Sequence, residues 1–390
     1  MMLAIRSIFR HSLAGAAVVL SGLMQTGFGQ VLPGGITTPS YNSIPTSVPF
    51  LTIAPDGRAA GMGDAGVASA PDLHSQHWNV AKYAFLEEKG GIGLTYTDWV
   101  PELLANVALI YAAGVYRIND NSAISSSFRY FYPGTYLQGE APREWTLDVG
   151  YSRRITDHFS GGIVLRYIRS DLTDGLDSQA GTSIAGDMGL YYQNEFVLGD
   201  RDARWAAGLS LSNMGPRVAY SADAEGLPIP SNFRIGGRFG IDLNQDHAID
   251  VHLDLNKLMV PTQPVYGYDS LTGEMMVIRG KAPPRSVAMG MIQSFYDAPG
   301  YHKDNGTYSV FAEEIHEITL GTGIEYRFRR LLALRTGYFH EHATKGNRKY
   351  FTFGIGSAYR FLSMDVSYLL PVGANTYLKN VFRITLMFTI

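Results

Sequence analysis

Apolar and polar residues alternate along most of the chain. From Gly91 to the end, runs of roughly ten alternating positions are each followed by a turn signal. In the clearest run, which extends from Ile249 to Asn256, every second residue is Ile, Val or Leu. Successive side chains of a strand point to opposite faces, so this period of two predicts strands with one apolar and one polar face.

The alternating runs predict fourteen strands, and the links between them fall into two classes. Links after even-numbered strands are short, whereas those after odd-numbered strands are generally longer. This sorting is typical of a membrane barrel, and a β-sandwich has no reason to show it. We therefore predict an all-β fold, a fourteen-stranded antiparallel transmembrane β-barrel with its apolar faces against lipid. The predicted strands are 91–99, 106–117, 121–131, 145–155, 159–170, 183–196, 203–213, 231–242, 247–258, 313–328, 331–340, 349–360, 363–370 and 381–390.

The N-terminus has the features of an export signal. Arg6 and Arg10 precede the apolar run Leu13–Leu23, which is too short to span a membrane as a helix. We expect a signal peptide at residues 1–29, an N-terminal segment and lumenal plug at 30–86, and a transmembrane barrel at 87–390. Export and the barrel pattern together predict the outer membrane of a Gram-negative bacterium, with the lipid bilayer as a partner.

Composition excludes several classes of function. Charged residues are 17% of the chain, against roughly a quarter in soluble proteins, which fits a lipid-facing surface. The 32 basic and 35 acidic residues give a net charge of −3, so no basic field favours a nucleic-acid partner. The chain has no Cys, which excludes disulfides, thiolate zinc sites and cysteine nucleophiles.

Motifs for catalysis, metals and cofactors are weak throughout. Gly61–Gly66 reads G-x-G-x-x-G, but no predicted strand precedes it, so tight packing is expected there rather than dinucleotide binding. His74 and His77, near Asp72, have a spacing that could hold a metal, although hydrogen-bonded histidines explain it better. No Gly-x-Ser-x-Gly elbow occurs. We expect a protein that is not an enzyme, with no catalytic residue, metal site or cofactor.

The N-terminal segment combines small and polar residues suited to the inside of a barrel. Its small residues allow close packing, and its polar ones can bond to lumen-facing positions such as Arg234, Arg238 and Asp254. The expected plug residues are Arg58, Gly61, Gly63, Asp64, Asp72 and Asn79.

One long loop, 259–312, interrupts the strand pattern on the long-loop, extracellular side. Within it, Val287–Phe295 could be a strand, but its spacing and the following Asp-Ala-Pro-Gly favour a short helix and turn. Aromatic side chains bury large areas with few rotatable bonds, and we expect those of this loop to bind a partner. They are Tyr266, Tyr268, Phe295, Tyr296, Tyr301 and Phe311.

Two regions carry a family resemblance. Phe50–Ala68, with Trp78–Ala81 after it, resembles the start of the FadL-like barrels, and more closely that of the PorV/PorQ branch of the type IX secretion system. Ser294–Gly300, Lys345–Phe351 and Asp365–Pro371 resemble the C-terminal third of the same branch. The chain departs from the broader family by having Asn-Val-Ala, instead of Asn-Pro-Ala, at the plug turn.

This resemblance implies a function as well as a plugged barrel. It implies a shuttle that works beside a large outer-membrane translocon barrel and binds exported proteins by their C-terminal signal domains. The cargo then passes to a surface attachment complex, which includes a signal-cleaving sortase-like protease and joins cargo to lipopolysaccharide. The alternatives are a FadL-like passive importer of hydrophobic small molecules and a purely structural barrel.

Overall fold

The computed structural model describes residues 42–104, 106–134, 142–172, 179–221, 225–269, 272–303, 306–373 and 376–390. The predicted signal peptide, 1–29, and the first part of the predicted plug, 30–41, lie outside the described residues. No helix in the described ranges is long and apolar enough to cross a membrane.

Strands that follow one another along the barrel pair antiparallel, and β1 pairs with β18 to close the sheet. Closure satisfies the backbone of every strand without leaving an edge in lipid. The predicted fourteen-stranded antiparallel barrel is confirmed. Numbered along the chain, its strands are β1 (Gly90–Asp98), β2 (Val107–Asn119), β3 (Ser122–Pro133), β4 (Arg143–Arg154), β5 (Phe159–Asp171), β6 (Gly181–Leu198), β7 (Arg201–Met214), β8 (Asn232–Asp242), β9 (His247–Leu258), β14 (Ile318–Phe328), β15 (Leu332–His340), β16 (Lys349–Tyr359), β17 (Leu362–Pro371) and β18 (Phe382–Thr389).

The remaining elements are short and lie outside the barrel sheet. Four strands form two separate hairpins, β10 (Val265–Tyr268) with β11 (Met275–Arg279), and β12 (Tyr301–His302) with β13 (Tyr308–Ser309). The described helices are α1 (Gly57–Ala60), α2 (Ser75–Trp78), α3 (Val287–Gln293) and α4 (Val310–His316), with 3₁₀ helices η1 (Pro49–Thr52), η2 (Val80–Phe85) and η3 (Thr376–Leu378).

The apolar face of the barrel points outward. On β9, Leu253 is 49% exposed whereas the next residue, Asp254, is 1% exposed and points into the lumen. The same alternation holds on β18, where Ile384 and Leu386 are exposed and Arg383 is buried. An apolar exterior around a polar interior is the reverse of a water-soluble barrel with a filled core, and it suits lipid.

The connections sort as the sequence predicts. Links on one side are as short as the two residues between β16 and β17, and the last residue, Ile390, accepts a hydrogen bond from the backbone of Lys89 on this side. The long loops lie at the other end, and the longest runs from β9 to β14. In a bacterial outer-membrane barrel the short turns are periplasmic and the long loops extracellular.

The largest error in a predicted strand boundary is at the start of the tenth barrel strand. The tenth barrel strand was expected to begin at residue 313 but begins at Ile318, because Val310–His316 form α4. Ser309 caps this helix by accepting a hydrogen bond from the amide of Ala312. The extracellular insert, as we call the whole connection, is therefore 259–317. Helix α3 within it agrees with the predicted short helix.

Candidate functional site

The segment 42–86, here called the lumenal segment, lies inside the barrel and is buried along most of its length. Inward-facing side chains from three separate wall strands, β9, β16 and β18, accept hydrogen bonds from its backbone. A side-chain acceptor satisfies a buried N–H group that would otherwise be costly. The pairs are Gly57 N to Thr385 Oγ1 at 2.9 Å, Gly63 N to Thr352 Oγ1 at 2.8 Å, and Gly66 N and Val67 N to Asp254 Oδ2 at 2.7 and 2.8 Å.

Arg58 ties the lumenal segment to itself and to the wall. Its guanidinium lies 3.1 Å from Asp72 and 3.0 Å from Glu325 of β14. Glu325 is also paired with Arg335 of β15, at 2.6 Å. Sequence reasoning named Arg58 and Asp72 in this segment but not Glu325, the partner of Arg58 on the wall.

The two expected plug glycines mark close backbone approaches. Gly63 has a φ of +68°, and a Cβ there would lie 2.5 Å from the carbonyl oxygen of Tyr338. A Cβ on Gly61 would lie 3.1 Å from the Cα of Gly354 on the wall. Left-handed backbone and lack of space both require glycine at position 63, so steric fit accounts for these glycines without a dinucleotide.

Asp64 and Asn79 bond to the wall, but not to the wall residues expected. Tyr350 donates a hydrogen bond to Asp64 at 2.6 Å, and Asn79 donates one to the carbonyl of Leu190 at 2.9 Å. Asn79 also accepts from the amide of Ala81 and so caps η2. The turn thus forms without the proline that the broader family usually has there. Two of the expected wall positions contact the segment elsewhere: Asp254 accepts from the amides of Gly66 and Val67, and Arg234 donates to the carbonyl of His77 at 3.2 Å.

The candidate metal-spaced histidines are used in hydrogen bonds. A ring nitrogen of His77 lies 2.7 Å from Arg129, and one of His74 lies 3.3 Å from Thr95. No group of three or more His, Cys, Asp or Glu side chains in the described ranges could hold a metal ion.

Charged pairs also line the wall away from the lumenal segment. Arg166 of β5 lies 2.9 Å from both Asp148 of β4 and Asp187 of β6, and all three side chains are buried. Burying such charges is costly unless they are paired. This part of the lumen is therefore a packed polar network.

The extracellular insert differs sharply from this interior. All six aromatic residues expected to bind a partner are exposed. The hairpin β10–β11 carries the densest group, with Tyr268 66% and Met275 63% exposed. We define the hairpin surface as the exposed apolar side chains of this hairpin, with Tyr266, Tyr268 and Met275 on one face and Met276 and Ile278 on the other. Sequence reasoning missed its methionines and isoleucine, although the apolar run Met275–Ile278 was visible.

The other expected aromatics have neighbours within the protein. The ring of Tyr296 lies under the ammonium group of Lys281, with 4.0 Å between nitrogen and ring centre. Tyr301 packs edge-on against His316 at 4.7 Å, and His316 stacks on His342 at 3.5 Å between ring centres. Tyr296 and Tyr301 thus have a partner within the protein and still remain exposed.

A buried cluster of charges fixes the base of the insert, and we call it the insert anchor. It consists of two lysines, one from β9 and one from the β15–β16 loop, with three glutamates from α4 and its C-terminal end. This cluster could not be predicted from sequence, because the lysines are far from the glutamates along the chain. Lys257 contacts Glu314 at 2.9 Å and also Glu317, and Lys345 contacts Glu313 at 2.7 Å and Glu317 at 2.9 Å.

Two titratable groups beside the insert anchor are shifted in opposite senses. The pKa of Asp297 is raised to about 7, chiefly by burial and also by the nearby Glu317 and Glu314, against a lowering by the Thr262 amide that donates to it. Burial lowers the pKa of His342 to about 4, with His316 as the next contributor. Near pH 6, Asp297 of the insert and His342 of the β15–β16 loop are thus both neutral in the folded protein.

Comparison with known proteins gives a family match. Residues 37–265 match the family model described as "Type IX secretion system protein PorV". No curated protein matches the chain.

The solved structures that resemble this chain include two toluene transporters and a FadL homologue. The toluene transporter TbuX of Ralstonia pickettii has a TM-score of 0.41 at 12% identity, with 85% of this chain and 97% of that one covered. The toluene transporter TodX of Pseudomonas putida has a TM-score of 0.40 at 11% identity, with 85% of this chain and 96% of that one covered. A FadL homologue of Pseudomonas aeruginosa has a TM-score of 0.40 at 11% identity, with 89% of this chain and 99% of that one covered.

Proposed function

Because the chain belongs to the PorV family of type IX secretion system proteins, we propose that it is the shuttle of that system. In this role it binds the C-terminal signal domains of exported proteins at the large translocon barrel. It then delivers them to the surface attachment complex, which includes a signal-cleaving sortase-like protease. The protein itself acts by non-covalent binding and does not catalyse a reaction.

The observation that supports this role is the hairpin surface. Apolar side chains that stand exposed together on a folded protein mark an interaction site. Methionine adapts to varied partners, and tyrosine buries a large area at low entropic cost. A two-stranded sheet is marginally stable alone, and a strand from a partner would extend it by backbone pairing. An exported domain that arrives folded or folding would be held here, above the membrane.

The alternative role is passive import of hydrophobic small molecules. An importer needs an apolar path through the barrel. In the described residues the lumen instead contains the lumenal segment and ion pairs such as Arg166 with Asp148. We therefore favour the shuttle, whose binding surface lies outside the lumen.

The test is a variant in which the hairpin surface is made polar: Tyr266→Ser, Tyr268→Ser, Met275→Thr and Met276→Thr. These side chains are exposed, so the barrel should still fold and show heat-modifiable migration in gels. We expect recovery of an exported protein with the barrel to fall at least about tenfold, a loss typical of removing interface anchors.

The matched control removes exposed apolar residues at the opposite, periplasmic end. Val197→Thr with Leu198→Ser, beside the β6–β7 turn, should leave recovery of the exported protein unchanged. Equal recovery with the wild type, the control and the hairpin variant would rule out the hairpin surface as the binding site. Faster toluene entry into vesicles containing the wild-type barrel than into empty vesicles would support the importer instead.

A further inference from the structure

Helix α4 has its polar and apolar faces reversed for a helix in water. Glu313 and Glu317, four positions apart on one face, are buried and paired with the lysines of the insert anchor. Phe311 is 76% exposed and Ile315, four positions later, is 48% exposed. A surface helix in water buries its apolar face and exposes its charges. The environment outside α4 is therefore apolar.

The apolar face of α4 continues the lipid-facing wall of the barrel. Glu317 at the C-terminal end of α4 is still helical, so Phe311, Ile315 and Ile318 follow at helical spacing on one face. Ile318 is the first residue of β14, and it starts the outward-facing row that continues to Ile324. The exposed face of the helix and the lipid-facing row of the strand thus meet without a polar break.

The insert also covers part of the outer wall itself. Leu255 faces outward on β9, and the next outward position, Lys257, is buried. The ring of Phe295, which follows α3, lies 5.6 Å from the Lys257 ammonium group and packs edge-on against Phe233, the residue opposite Lys257 on β8. The insert therefore lies against the outside of the barrel, where the lipid-facing band ends.

Helix α3 exposes a second apolar face in this region. Met289 and Ile292, three positions apart, are exposed, while Gly290 is buried close to Pro261. We define the shelf as Met289, Ile292, Phe311 and Ile315, the exposed apolar side chains of α3 and α4. The charged neighbours of Ile318, Lys257 on β9 and Glu314 on α4, pair with each other at 2.9 Å.

We propose that the shelf is a lipid-binding surface that rests on the outer leaflet of the outer membrane, at the boundary between headgroups and acyl chains. Interfacial helices bury an apolar face about 5–10 Å into this boundary. The shelf is continuous with the lipid-facing wall, and this continuity favours lipid over a protein as its occupant. The insert then has two working parts, a shelf in the membrane surface and the hairpin surface in water. The shelf stands independently of the secretion role.

The absence of Cys allows single-probe measurements on the full-length barrel. A fluorophore is attached at Phe311→Cys or Ile315→Cys, and the labelled barrel is placed in vesicles of phosphatidylcholine and phosphatidylglycerol. Its fluorescence is quenched either by lipids that carry a quencher at a known depth or by iodide in the water. Leu253→Cys on the lipid-facing wall and Tyr268→Cys on the hairpin surface are the matched controls. Heat-modifiable migration confirms folding of each variant.

We expect lipid quenching at positions 311 and 315 within about twofold of that at position 253, and with a shallower depth optimum, as for an interfacial helix. Position 268 should respond to iodide and not to lipid quenchers. If positions 311 and 315 behave like position 268, the shelf does not touch lipid and the proposal fails. A probe at Met289→Cys on α3 gives a second reading if labelling disturbs α4.

Discussion

Among the described residues, the lumenal segment and the extracellular insert are the two largest parts outside the barrel sheet, and they are built in opposite ways. The lumenal segment is rich in small residues, buried, and held by side chains of the wall that accept from its backbone. The insert is anchored at its base by buried charges and carries large apolar side chains that remain exposed.

This difference separates stability from binding within one molecule. The apolar side chains of the described lumenal segment are packed inside the barrel and leave no free apolar surface there. The insert, in contrast, exposes apolar surface at the extracellular rim. Changes in the lumenal segment should therefore cost folding free energy. Changes on the insert should cost little stability and affect what the protein binds.

The largest expected effect is from Gly63→Ala in the lumenal segment. A Cβ there meets left-handed backbone and carbonyl oxygens at 2.5 and 2.6 Å. We expect the free energy of unfolding, measured in urea, to fall by about 4 kcal/mol, from left-handed strain and overpacking together. Gly273→Ala in the insert also has positive φ but open space around it, and should cost about 1 kcal/mol. Equal losses of unfolding free energy at positions 63 and 273 would contradict the difference between the lumenal segment and the insert.

A somewhat smaller loss is expected from Asp254→Leu, which removes the acceptor for two amides of the lumenal segment. Leaving both N–H groups buried and unpaired should cost about 3 kcal/mol of unfolding free energy. Asp254→Asn keeps an acceptor oxygen and should cost under about 1 kcal/mol. If the two substitutions cost the same, these hydrogen bonds do not hold the segment.

The insert should respond to pH through Asp297, with a sign set by its raised pKa of about 7. The pKa of Asp in an unfolded chain is about 4. Between about pH 4 and 7, Asp297 is therefore protonated in the folded insert and ionised in the locally unfolded insert. Rising pH in this range lowers the stability of the folded insert. His342, with its pKa lowered to about 4, acts in the opposite sense up to about pH 6.5. From pH 6.5 to 8, Asp297 has the larger effect of the two on the stability of the folded insert.

Hydrogen exchange checks this prediction at the amide of Thr262, which donates to Asp297. Its protection factor should fall from pH 6.5 to 8 in the wild type and stay level in Asp297→Asn. A wild-type protection factor that rises over this range would contradict the assigned shift. Protection of lumenal-segment amides should be the same at both pH values.

The smallest effect on stability is expected at Tyr268→Ser on the hairpin surface. The side chain is 66% exposed, and surface substitutions usually change the free energy of unfolding by less than about 0.5 kcal/mol. Recovery of exported protein should nevertheless decrease. A loss of stability as large as that of Asp254→Leu would show that the hairpin packs against the barrel instead of standing free.

The barrel could be predicted from the sequence because its signals are local. The alternation of apolar and polar residues, as at Leu253 and Asp254, identifies the two faces of each strand. The loop lengths distinguish the periplasmic end of the barrel from the extracellular end. The start of β14 could not be predicted, because Ala-Glu-Glu-Ile-His suits a strand as readily as α4. Its helical state depends on Lys257 and Lys345, which are distant in sequence.

The same limit applies inside the barrel. The polar residues of the lumenal segment were identifiable, but several lumen-facing groups could serve as partners for each. Arg58 bonds to Glu325 because the register of β14 brings that carboxylate within reach. The exposed shelf could not be foreseen at all, since residues such as Phe311 and Ile315 are expected to be buried until the faces of α4 are known.

The most direct measurement of the central claim is the affinity of a purified C-terminal signal domain for the purified barrel. We expect the hairpin variant, with Tyr266, Tyr268, Met275 and Met276 replaced by polar residues, to bind at least about tenfold more weakly than wild type, equivalent to about 1.4 kcal/mol. The Val197→Thr and Leu198→Ser control should bind as wild type does. Equal affinity of all three proteins would contradict the claim that the insert is the surface on which cargo is held.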